Sequence, residues 1–143
     1  PFELTDAIDR GDVAGALDRL HRLLGGAGWH PLQVMATLTN HYVRMLALDG
    51  AGVADERAAA DLLGMKGSTF PARKALQQGR TLGTERLRDF VVLLAQADLD
   101  LRGAKAWPPD LVVEVLVARL ASRTPRASAA TRGRPARAGA GRR

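Results

Sequence analysis

Glycine and proline cut this chain into short pieces, and between the cuts the apolar residues recur at helical spacing. The breaks fall at Gly11, at "GGAG" (25–28), at "GAGV" (50–53), at Gly64, at Gly79 and at "AWPPD" (106–110). Such pieces suit helices of a few turns and leave no room for long ones. Only "LVVEVLVARLA" (111–121) carries a β-favouring run of valines, and neither turn chemistry nor partner strands accompany it. The expected fold is all-α: a compact bundle of about six or seven short helices with a disordered basic C-terminal tail.

The segments read in order. "FELTDAIDRG" makes a first helix stopped at Gly11, and Asp12 is placed to cap the second by accepting from its free amides. Val13, Leu17, Leu20 and Leu24 then form one stripe, which "GGAG" ends. Pro31 suits the first turn of a third helix, whose apolar face is Leu32, Met35, Leu38, Tyr42, Met45 and Leu46. "ADERAAADLLG" is a fourth helix, and "STFPARKALQQG" a fifth closed by Gly79. A sixth begins near Thr84 with the stripe Leu87, Phe90, Val91, Leu94 and Leu101. The last helix, apolar on nearly every side, is expected to run through the middle of the bundle.

Charge divides the chain in two. Of its 21 lysines and arginines, six stand in residues 124–143, where there is no acid, so residues 1–123 carry 15 bases against 15 acids. The expected organisation is a neutral helical domain over 1–123 and an Arg-rich tail over 124–143, which lacks apolar periodicity. A neutral domain has no domain-wide basic face for nucleic acid. With no cysteine, disulfide and thiolate chemistry is excluded and a reducing compartment is expected. No apolar run approaches the roughly 20 residues that span a bilayer. The first residues do not resemble a signal peptide, and a start at Pro1 without Met reads as a piece of something longer.

Convergent polar groups are scarce, so no catalytic, cofactor-binding or metal-ligating residue is assigned and no cofactor is expected. His21, His30 and His41 lack metal-ligand spacing and read as solvent-facing or locally hydrogen-bonded. Asp98 and Asp100 stand two apart on a helix and point different ways. "GMKGST" (64–69) holds the letters of a phosphate loop in the wrong order and follows no strand. Asp98 falls on the apolar stripe of the sixth helix, where an unpaired charge is costly. That position calls for an ion pair between helices, with Arg44 the candidate partner, or for a polar contact at a subunit interface.

Two features suggest nucleic acid. The segment "LLGMKGSTFPARKALQQG" (62–79) has the outline of a helix-turn-helix, with Arg73 and Lys74 among the donors of its second helix. The preceding helix, however, brings Asp55, Glu56 and Asp61 toward any duplex. In the tail, "RGRP" puts Arg132 and Arg134 in the pattern of a minor-groove hook, and arginines favour that groove's negative potential. A small helical DNA-binding protein using residues 66–80 and the tail is therefore the alternative reading.

In sequence order, "FELTDAIDRGDVAGALDRLHRLL", "PLQVMATLTNHYVRMLAL", "AAADLLGMKGSTFPARKALQQGRTL" and "LRDFVVLLAQADLDLRGAKAWPPDLVVEVLVARLA" resemble the C-terminal domain of the bacterial DNA polymerase III delta subunit. The resemblance covers about residues 2–122 and omits the tail. It implies a collar domain of the clamp loader, the machine that opens the sliding clamp and sets it on primed DNA during replication. The implied role is oligomerisation without catalysis, inside a holoenzyme that is a nucleotidyltransferase. The implied partners are delta-prime and the ATPase subunits. The sliding clamp would be reached only through domains absent here, and DNA only indirectly or through the tail. The implied location is the cytoplasm, at the replisome. On this reading the corner at 62–79 is architectural.

Overall fold

Local chemistry starts the helices of this protein in several places. In the computed structural model, which describes residues 2–126, seven α-helices follow one another and no strand occurs among the described residues. They are α1 (Phe2–Asp9), α2 (Val13–His21), α3 (Pro31–Leu48), α4 (Glu56–Leu62), α5 (Phe70–Leu82), α6 (Thr84–Leu99) and α7 (Pro109–Arg123). The Asp12 carboxylate accepts from the Gly15 amide at 2.9 Å, and Asp55 accepts from Ala58 at 2.8 Å. Before Pro31, His30 is the cap: its Nδ1 accepts from Leu32 while Gln33 Oε1 accepts from the His30 amide at 2.7 Å. One-turn π-helical segments extend α2 (Arg22–Gly26) and α6 (Asp100–Ala104).

The core lies where α7 meets α1, α2, α3 and α6. Val112, Val113, Leu116, Val117, Leu120 and Ala121 of α7 are all buried, so the valine-rich segment is an interior helix. At the α3–α6 crossing the Tyr42 ring stands edge-on to Phe90, centroids 5.2 Å apart. Thr124, just past α7, is buried, and its hydroxyl donates to the Leu120 carbonyl at 2.8 Å. Its own carbonyl approaches Gly11, where a Cβ would come within 2.7 Å. Gly11 also has φ +69°, so both shape and conformation require glycine at this turn.

Three sequence expectations need correction. The fifth helix does not close at Gly79 but runs through it to Leu82, and Gly83 (φ 80°) breaks it. On α3, Leu32 is exposed and Leu46 only partly buried, while Val34 and Leu48 complete the core. The stripe is thus rotated from the one that spacing suggested, because α5 and α6 both cover this helix. The Arg44–Asp98 pair does not form within the domain. Ala97, three residues after Leu94, takes the inward position, and Asp98 falls at the edge, where Arg102 Nε donates to it at 2.9 Å. Arg44 is exposed, two residues beyond Tyr42 and hence on the side of α3 away from the ring that meets α6. The buried acid is Asp100, bonded by Gln96 Nε2 at 3.0 Å, with Lys105 Nζ at 3.7 Å.

Candidate subunit interface on the α3–α6 pair

Helices α3 and α6 run antiparallel. Thr84, opening α6, donates its hydroxyl to the carboxylate of Asp49 at the end of α3 (2.9 Å), and midway Tyr42 meets Phe90. These two contacts fix which sides of the helices face each other and which face solvent. Outward of the contact, α3 presents Leu32, Ala36, Val43 and Ala47, and α6 presents Val92, Ala95 and Leu99, all exposed. Val92 is 66% accessible and Leu99 54%. The antiparallel register sets Leu32 toward the Leu99 end of α6 and Val43 near the level of Val92. Val92 and Leu99 stand on the side of α6 opposite Phe90, and hence away from α3, so the two exposed stripes face different directions.

Polar residues stand among and beside these side chains, and exposed Arg88, one turn before Val92, lies within the α6 stripe itself. Gln33, Asn40 and Arg44 stand along the outer edge of α3, and Glu85, Asp89 and Gln96 along the far edge of α6. Nothing in the spacing of the core stripe had marked Val92, Ala95 and Leu99. The available signal was a second apolar set at i, i+3 and i+7 on a helix whose core positions were already filled.

The other expected site residues are dispersed. Arg73 is exposed on α5, but Lys74 is engaged: its ammonium binds the Asp6 carboxylate of α1 and stands 5.8 Å from the Phe70 ring centroid. One of the two cations expected to face DNA thus joins α5 to α1. Arg132 and Arg134 lie outside the described residues. The histidines are spread over three sites. His30 caps α3, His21 Nε2 lies 3.1 Å from Glu114, and His41 pairs with Asp9. Among the described residues no three His, Cys, Asp or Glu side chains are grouped to hold a metal ion. Burial, with a further contribution from the Asp9 charge, raises the Tyr42 phenol well above its ordinary value. Its hydroxyl is sealed in the core without a partner, so it is a structural group.

A family model described as DNA polymerase III delta subunit, C-terminal domain, matches residues 1–120. The chain belongs to this family. Neither curated proteins nor solved structures give a match. As a delta C-terminal domain, the protein comes from a subunit of a polymerase complex, and its family places it in a clamp-loader assembly. Within the described part of this delta domain, no helix is long and apolar enough to cross a membrane.

Proposed function

We propose that this delta C-terminal domain is an oligomerisation element, holding its subunit in the collar of the clamp loader without chemistry of its own. The observation that carries this is the match of residues 1–120 to the delta C-terminal domain, together with the exposed apolar side chains Val92, Ala95 and Leu99 on α6. Delta-prime and the ATPase subunits are the partners on this reading, and the setting is the cytoplasmic replisome. Contact with the sliding clamp belongs to other domains of delta, and contact with DNA to the tail. The folded unit includes the buried Thr124, and residues 127–143 are dispensable for assembly. The DNA-binding alternative loses support because Lys74 is engaged by Asp6.

The test is co-elution of the full chain with delta-prime and the ATPase subunits of the same organism, at physiological and several-fold higher salt. Apolar burial predicts a complex at both, since screening weakens exposed charge pairs but not apolar contact. Val92→Glu, which puts a charge into the exposed α6 stripe, should abolish the complex while the domain stays folded. Removing residues 127–143, which keeps the packed Thr124, should leave it intact. Unchanged assembly by Val92→Glu would show that the exposed α6 stripe is not the contact.

A further inference from the structure

Two of the three phenylalanines of the chain stand outside the core. Phe90 is fully buried, but Phe2 is 73% and Phe70 59% accessible. Each is the first residue of its helix, α1 and α5. The inner sides of these helices are already occupied, by Leu4, Ala7 and Ile8 on α1 and by Ala72, Ala75 and Leu76 on α5. The two rings therefore take no part in holding the domain together.

Side-chain bridges between the helices set where these rings stand. The Lys74 ammonium binds the Asp6 carboxylate, and about one turn further along both helices Gln78 Nε2 donates to the Asp9 carbonyl at 3.3 Å. Both bridges advance in the same sense, so α1 and α5 run parallel there, on either side of a groove of about 320 Å³. Phe2 is one turn before Asp6 and Phe70 one turn before Lys74, and residues four apart share a side of a helix. Both rings thus flank the same end of the groove. The Lys74 ammonium, which reaches α1, stands 5.8 Å from the Phe70 ring centroid.

We infer that Phe2 and Phe70 form the seat on which the preceding part of the delta polypeptide packs, so that this domain is docked against its own subunit. The matched family is a C-terminal domain and the match includes residue 1, so the rest of delta joins α1 beside Phe2 itself. A segment tethered that close has an effective concentration of millimolar order at the groove, which a free protein lacks. The exposed stripe proposed for a neighbouring subunit is elsewhere, on α6, and faces away from α3. Two phenylalanines supply a large apolar area for such a contact, and the Lys74–Asp6 pair fixes their spacing by tying α5 to α1.

Hydroxyl-radical footprinting read by mass spectrometry tests this, because it reports the exposure of individual side chains. Whole delta and the 143-residue chain are each measured alone in solution, so the outcome does not depend on the collar reading. Phe2 and Phe70 should be oxidised several-fold more slowly in whole delta at every protein concentration, while Val92 and Leu99 react equally in both. Phe70→Ser should restore fast oxidation of Phe2 in whole delta. It should leave the melting curve of the 143-residue chain unchanged, since only an exposed side chain is replaced. Equal rates in the two proteins, or a Phe2 still protected in Phe70→Ser, would overturn the inference. So would protection that appears only when delta-prime and the ATPase subunits are added, which would assign the patch to a neighbour. Protection that grows with concentration would assign it to a second copy of the chain and overturn it as well.

Discussion

Nε2 of His41 stands 3.0 Å from both carboxylate oxygens of Asp9, joining the middle of α3 to the end of α1. The backbone carbonyl of Asp9 accepts from Gln78 of α5 at 3.3 Å, and one turn earlier Asp6 holds Lys74 of the same helix. The short α1 is thereby fixed from two sides, and its inner residues Leu4, Ala7 and Ile8 are buried. Asp9 and His41 are largely shielded from water, with side chains 12% and 19% accessible, so their attraction is less screened than that of a surface pair. A double-mutant cycle with Asp9→Asn and His41→Gln should give a coupling of about 1 kcal/mol in urea unfolding. A coupling near zero would mean that the Asp9–His41 contact adds nothing to holding α1.

The ring next to that pair leads to a second prediction. The Tyr42 hydroxyl has no hydrogen-bond partner, and a buried donor left unpaired forfeits its hydration. Tyr42→Phe removes that hydroxyl while keeping the edge-on contact with Phe90, and should stabilise the fold by about 1 kcal/mol. Thermal or urea unfolding of the two proteins at neutral pH measures it.

Alkaline pH tests the same group by another route. The native phenol is held well above its ordinary value, by burial first and by Asp9 second, so in the native state it keeps its proton where the unfolded chain loses it. Its contribution is present in full below the unfolded value of about 10 and is lost as pH rises toward the native one. Relative to Tyr42→Phe, unmodified protein should lose stability above that point by up to about 1.4 kcal/mol per pH unit. Because the chain has one tyrosine, absorbance of the phenolate reports this group alone. It should appear only with unfolding.

Two glycines with the same backbone twist should respond differently. Gly11 and Gly28 have φ of 69° and 68°, but a Cβ on Gly28 meets nothing, whereas one on Gly11 would press on the Thr124 carbonyl. Gly28→Ala should cost about 1 kcal/mol, the strain of an L-residue in that region. Gly11→Ala should cost clearly more, because the α7 end must move as well. Equal losses would show that the α7 end yields freely.

Neighbouring positions on α6 separate stability from assembly. Phe90 is fully buried, and Phe90→Ala should destabilise the domain by about 3–5 kcal/mol. Val92, two residues on, faces solvent, so Val92→Glu should change stability by no more than about 0.5 kcal/mol while removing partner binding. Melting curves beside the co-elution assay distinguish the two effects.

Much of this was legible from the residues themselves. Helix type, the Asp12 cap, the Pro31 start and the interior character of 111–121 depend on side chains within a turn or two of each other, so spacing and capping chemistry reveal them. The family resemblance drew on the same local phrases in their order. Tertiary structure decided the rest. Gly79 reads as a stop because glycine is a poor helix former, yet α5 runs through it, packed against α3 at Met45. Asp98 reads as buried because Leu94 and Leu101 bracket it, yet one step around the helix Ala97 turns inward and Asp98 finds Arg102. Lys74 reads as free for DNA, yet its partner Asp6 stands 68 residues away in sequence. Periodicity shows that a helix has an apolar side. Which stripe is covered from within, and which stays open for a neighbour, is set by helices that meet only when the chain has folded.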